Sequence, residues 1–205
     1  EGLAQSGWSH LLEHLVFKGA GDMGARDIVE RIEAEGGSIN AATGYERTSF
    51  EVRGVEGSLG LALQVVSDLV FRPTLDPVEI ERIRASWIAG IRQQKARPAG
   101  MAMRVLPGLL YGQGHPYGAP ASGTEAAIAA LTRDELLAFH RRWLRPEGAT
   151  LIVVGDTTLA EILPQLERHF GDWAGEGPTP PVQVDVPAVE LPATPRLFLI
   201  DQPGA

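Results

Sequence analysis

Residues His10-Leu11-Leu12-Glu13-His14 constrain this chain more than any other stretch. At about 100° of helical turn per residue, His10 and His14 stand one turn apart on the same face, with Glu13 beside them. Trp8, Leu11, Leu12, Leu15 and Val16 recur around them, so the segment predicts an amphipathic helix with its apolar face in a core and its imidazoles at the core's edge. Two neutral imidazoles suit zinc, and a carboxylate that is not itself a ligand can take a proton from metal-bound water. The same helix is also compatible with two structural histidines at a core margin, because short motifs in isolation have real false positives. The rest of the chain decides between these readings.

The sequence has no cysteine. Disulfides, thiol nucleophiles and thiolate ligands are excluded, which leaves histidine and carboxylate as the plausible metal donors. The formal net charge of −8 offers no basic surface to a phosphate backbone and argues against nucleic acid as a partner. No apolar run approaches the roughly 18 residues of a membrane span. With 44% hydrophobic and 21% charged residues among 205, the composition is that of a globular domain. The sequence starts at Glu1 without an initiator methionine and stops just after a strand-like run, so the expectation is a piece of a longer protein.

A first helix is predicted from about Gly7 to Lys18, ending at Gly19. Ile28, Val29 and Ile32 mark a second, closed by Gly36-Gly37, where glycine enters left-handed conformations freely. Ser38 to Ala42 and Thr48 to Arg53 read as strands around a turn at Thr43-Gly44-Tyr45; in the second, Phe50 and Val52 alternate with polar neighbours. Leu59, Leu63, Val66 and Val70 line a third helix that stops before Pro73. A fourth opens at Asp76-Pro77, a cap followed by proline at the first helical position, and ends before Pro98. Tyr111 to Gly118 is predicted as a loop. Thr132-Arg133-Asp134-Glu135 is a capping box for a helix through Leu144. Leu151 to Val154 is an all-apolar run expected as a buried strand, and Leu159 to Phe170 a helix carrying Pro164. The predicted organisation is a domain over 1–174, a Pro-rich linker over 175–195, and the start of a second domain over 196–205, with Arg196 to Asp201 as its first strand.

These landmarks resemble the amino-terminal, metal-bearing half of the pitrilysin/insulinase family of metallopeptidases, the group that includes the mitochondrial processing peptidase. H-x-x-E-H is the inverted zinc-protease motif. Gly7-Trp8-Ser9-His10 through Phe17-Lys18-Gly19 is similar to the family's signature helix and its exit. Gly36-Gly37-Ser38-Ile39-Asn40-Ala41 is similar to the strand after the second helix, and Thr43, Glu46 and Thr48 to the adjoining hairpin. Glu79-Ile80-Glu81-Arg82 resembles the start of the family's ligand helix; His115-Pro116-Tyr117-Gly118 and Val153-Val154-Gly155-Asp156 resemble later landmarks. The similarity covers Glu1 to about Trp173.

The resemblance implies an α+β fold: a mixed, largely antiparallel sheet with helices packed on one side, as in one half of a pitrilysin-family clamshell, here lacking its first strands. It implies Zn2+ held by His10 and His14, with Glu13 as the general base that activates zinc-bound water. It places Asn40 and Ala41 on an edge strand that takes up extended peptide by strand addition, although Asn40 alone reads equally well as a strand-end residue. The partners implied are a peptide substrate and a second homologous half or partner subunit. Bacterial periplasm and cytoplasm are both compatible.

Two positions depart from the family pattern. The third zinc ligand, a glutamate on a later helix, aligns with Gly90, and a second acidic position two turns earlier aligns with Ile83. Glu81 points to the opposite face from residue 90, and Glu79 lies roughly 16 Å away along the axis at about 1.5 Å per residue. Gln93 and Gln94 are closer, but neutral amides are poor zinc ligands. The resemblance therefore implies a zinc-dependent endopeptidase-like domain short of one ligand. The alternative is a non-catalytic subunit of the same family that binds peptides or supports an active partner. His115, His140 and His169 read as structural, and Trp8, Trp87, Trp143 and Trp173 as core anchors.

Overall fold

The computed structural model describes residues 3–55, 57–175, 186–190 and 192–201. Helix α1 (Trp8–Val16) occupies its centre. Leu11, Leu15 and Val16 are fully buried, and each such side chain contributes about 1.5–3 kcal/mol relative to exposure. A tight connection follows, in which two-residue strands β1 (Gly19–Ala20) and β2 (Met23–Gly24) pair antiparallel. Helix α2 (Ala25–Ala34) then buries Ile28 and Ile32.

The hairpin of β3 (Ser38–Thr43) and β4 (Thr48–Arg53) is antiparallel, from Ser38↔Arg53 to Thr43↔Thr48. Its inward residues Ile39, Phe50 and Val52 pack against the core, and β3 lies on α1. Helices α3 (Leu59–Phe71) and α4 (Pro77–Lys95) follow. The start of α4 is fixed by Asp76, whose side chain accepts hydrogen bonds from the Val78 and Glu79 amides at 2.7 and 3.4 Å. Helices α5 (Pro98–Tyr111), α6 (Glu125–Ala130), α7 (Arg133–Trp143) and α8 (Leu159–Phe170) complete the described elements. One hydrophobic cluster joins Leu11, Leu15, Ile28, Leu69, Ile80, Ile128 and Leu136, with α1 touching α4, α7, β3 and β4.

The fold class is α+β, helix-rich with small antiparallel sheets. Three local expectations fail. Helices α5 and α6 are absent from the sequence reading: Gly100, Pro107 and Gly108 break the helical pattern in the sequence of α5, its only buried residue is Arg104, and the alanine-rich α6 has no periodicity to detect. Leu151 to Val154 forms no strand and is exposed, Ile152 at 78% and Val154 at 92%. A strand apolar on both faces needs a paired neighbour and two covering layers, and among the described residues β3 and β4 pair only with each other. Arg196 to Asp201 likewise forms no strand; Leu197 and Leu199 are open, while Phe198 and Ile200 face Pro98 and Met101 of α5. Of the expected linker, 176–185 and 191 lie outside the described residues, as do 202–205.

Candidate metal centre

Helix α1 presents His10 and His14 on one face, their ring centroids 5.3 Å apart. Glu13 is buried at 7% exposure, and its Oε2 has no hydrogen-bond partner; the buried Nδ1 of His10 has none either. A buried polar atom without a partner bears its full desolvation penalty of about 1–3 kcal/mol. Two such atoms within one turn of helix are the mark of a site prepared for a ligand or a proton. Although His14 is exposed, partial desolvation lowers its pKa from the ordinary 6.5, against the opposing pull of Glu13. The shift favours the neutral ring, the form that binds a metal.

Helix α4 closes the other side. Its Trp87 ring meets both imidazoles edge to face, with centroids 4.8 Å from His10 and 4.8 Å from His14, and its Nε1–H donates to the Ser122 carbonyl at 2.9 Å. Gly90 lies one turn further along α4 and is exposed, and a Cβ built there would meet no atom within 4 Å. The acidic residues of α4 are engaged elsewhere: Glu79 with Arg82 at 2.7 Å and Glu81 with Arg84 at 3.1 Å. Gln94 accepts from Arg104 at 3.1 Å. Among the described residues no three His, Cys, Asp or Glu side chains gather into a metal-binding group. The residues present thus fit zinc in donor type, two imidazoles with orphaned polar atoms on His10 and Glu13, and fall one ligand short of the usual three.

Asn40 and Ala41 sit midway along β3, opposite Glu51 and Phe50. The other edge of β3 carries no strand among the described residues, and Asn40 is exposed. The hairpin tip is tied down by Tyr45, whose hydroxyl donates to the Ala119 carbonyl at 2.8 Å, and by Tyr117, which donates to Glu46. His140 and His115 hold structural positions: His140 Nε2 pairs with the Val70 carbonyl at 2.7 Å, and His115 Nδ1 accepts from the Tyr117 amide at 3.0 Å. Trp8 is buried in the core. The contact of Trp87 with the histidines is what sequence reading missed. Its one available signal was position, three residues before Gly90 and so on the same side of the helix.

The sequence profile described as Insulinase (Peptidase family M16) matches residues 1–117, more than half of the 205. The chain belongs to this family. The profile of the peptidase M16 inactive domain matches residues 130–203. An uncharacterized zinc protease of Mycobacterium leprae is 34% identical over 173 residues, 83% of this chain and 38% of that protein. One of Bacillus subtilis is 28% identical over 172 residues, 84% of this chain and 42% of that protein. The M16 chain thus spans less than half the length of these relatives. Its fold is that of a protease from Helicobacter pylori, with a TM-score of 0.81 at 23% identity over 91% of this chain and 45% of that one. Pitrilysin gives a TM-score of 0.74 at 23% identity over 91% of this chain and 20% of its own. No described helix of the M16 chain is long and apolar enough to cross a membrane.

Proposed function

We propose that this M16 chain is the metal-binding and water-activating part of a zinc-dependent endopeptidase acting on unstructured peptides. The observation that carries this reading is the single turn of α1 that bears His10, Glu13 and His14, with the two imidazole centroids 5.3 Å apart and orphaned polar atoms on His10 and Glu13. The zinc-protease names of its relatives support it. When bound, zinc supplies Lewis acidity and a water acidic enough to ionise near neutral pH. His10 and His14 would hold the metal. Glu13 accepts the proton of the attacking water and delivers it to the leaving amine, and the buried Oε2 has no competing partner. Asn40 and Ala41 take up the peptide through main-chain hydrogen bonds along the open edge of β3, which gives affinity with little sequence demand. The ligand missing at Gly90 weakens metal binding. A domain over 1–174, a linker over 175–195 and a second homologous half or partner subunit belong to the same reading.

The second reading is a non-catalytic M16 subunit that binds peptides or supports an active partner. The open space at Gly90 favours it, as does the match of residues 130–203 to the inactive domain. Glu13→Gln in the full-length protein separates the two. The peptidase reading expects chelator-sensitive peptide hydrolysis that the substitution abolishes without altering assembly. Hydrolysis that is absent from the wild type, with assembly intact in both forms, establishes the second.

A further inference from the structure

Metal-ligating imidazoles are ordinarily oriented by a hydrogen bond to the ring nitrogen that does not face the metal. Among the described residues no side-chain hydrogen bond orients the His10 ring, and its Nδ1 is buried without a partner. What fixes the ring is packing: Trp87 lies edge to face on His10 at 85° and on His14 at 77°, with both centroids at 4.8 Å. We propose that Trp87 is the positioning residue of this site, a brace that holds both imidazoles in one orientation and is itself set by the Ser122 carbonyl.

The brace is anchored independently of the histidines. Trp87 Nε1–H donates to the Ser122 carbonyl at 2.9 Å, and the loop bearing Ser122 is held from α5 by Arg104, which donates to Ser122 Oγ at 2.8 Å and to the Gly123 carbonyl. Ser6, just before α1, donates to the Pro120 carbonyl at 3.2 Å. The same loop therefore touches α1, α4 and α5, and through Trp87 it fixes α4 against the face of α1 that carries the histidines. An imidazole at a solvent edge otherwise samples several rotamers, and ordering it on binding subtracts from affinity. With two protein donors instead of three, no further ligand locks the pair, so orientation has to be set in advance.

The metal role of the pair rests on the reading proposed above; the brace is a property of the metal-free protein, and the test separates the two. Ring-labelled histidine in the full-length protein, observed by NMR without metal, should show a single orientation for His10 and for His14. Trp87→Leu should let both rings average over rotamers, with zinc affinity measured calorimetrically falling about tenfold, the scale of losing an orienting partner. Trp87→Phe keeps a ring but loses the Ser122 bond, and should lie between the two. Wild-type ring order in a folded Trp87→Leu protein overturns the proposal, as does lost order with unchanged zinc affinity. Should Trp87→Leu fail to fold, Trp87→Phe decides alone, rotamer averaging supporting the brace and wild-type order overturning it. If the wild type binds no zinc while ring order still responds to both substitutions, the metal reading fails and the brace stands.

Discussion

A Cβ placed on Gly7 would lie 2.7 Å from the Cα of Gly123. The two glycines hold the N-terminus of α1 against the 120–123 loop, and both have left-handed backbones, at φ +86° and +76°. A side chain at Gly123 would in turn come within 2.2 Å of the Ser6 carbonyl oxygen. Gly123→Ala should therefore destabilise the fold by about 2–4 kcal/mol, combining backbone strain with a steric clash. Urea denaturation measures it, and a loss under about 1 kcal/mol, typical of an ordinary surface change, would contradict the close approach.

Arg104 is buried at 8% exposure, with its guanidinium donating to Gln94 Oε1, Ser122 Oγ and the Gly123 carbonyl. Arg104→Met keeps the packing of the stem and strands those acceptors, so it should cost about 2–4 kcal/mol. Thermal unfolding checks the loss. Trp87 emission should also shift to the red as the Ser122 loop loosens, read against a Trp87→Phe background.

Gly90→Glu introduces the ligand type that the family pattern places there, at a position where a Cβ meets open space. Elemental analysis after dialysis should show zinc rising toward one per chain. Replacing an exposed glycine in a helix interior should also add about 0.5–1 kcal/mol to stability. Unchanged zinc content alongside raised stability would show that residue 90 does not reach the imidazole pair.

His14 should titrate below its ordinary value of 6.5 in the metal-free protein, because partial desolvation of this exposed ring disfavours its charged form. The unfolded chain binds a proton more readily than the folded one in the window beneath 6.5. The contribution of this ring to stability is thus fully present above 6.5 and is lost as pH falls through the folded pKa. An NMR titration of the His14 ring gives the midpoint, and a value at or above 6.5 would refute the desolvation.

Much of the fold was legible because its signals are local. The caps at Asp76 and Thr132 and the apolar spacing of α1, α3 and α4 each announce an element within a few residues. Helix α5 was hidden by internal proline and glycine and by a mostly exposed surface. The apolar runs at 151–154 and 197–200 carry the composition of buried strands, but burial and pairing depend on neighbours that composition does not name.

The sequence by itself determined the helix that carries His10, Glu13 and His14, the glycine at position 90, and the absence of thiol chemistry, since identity and helical period suffice for each. Only the tertiary structure decided what faces the histidines. Helix α4 turns Trp87 onto both imidazoles because the Ser122 carbonyl, 35 residues further along the chain, captures the indole N–H, and Arg104 and the Gly7–Gly123 contact hold that carbonyl in place. Those contacts are long-range, and their energies exist only once the core has brought α1, α4 and α5 together.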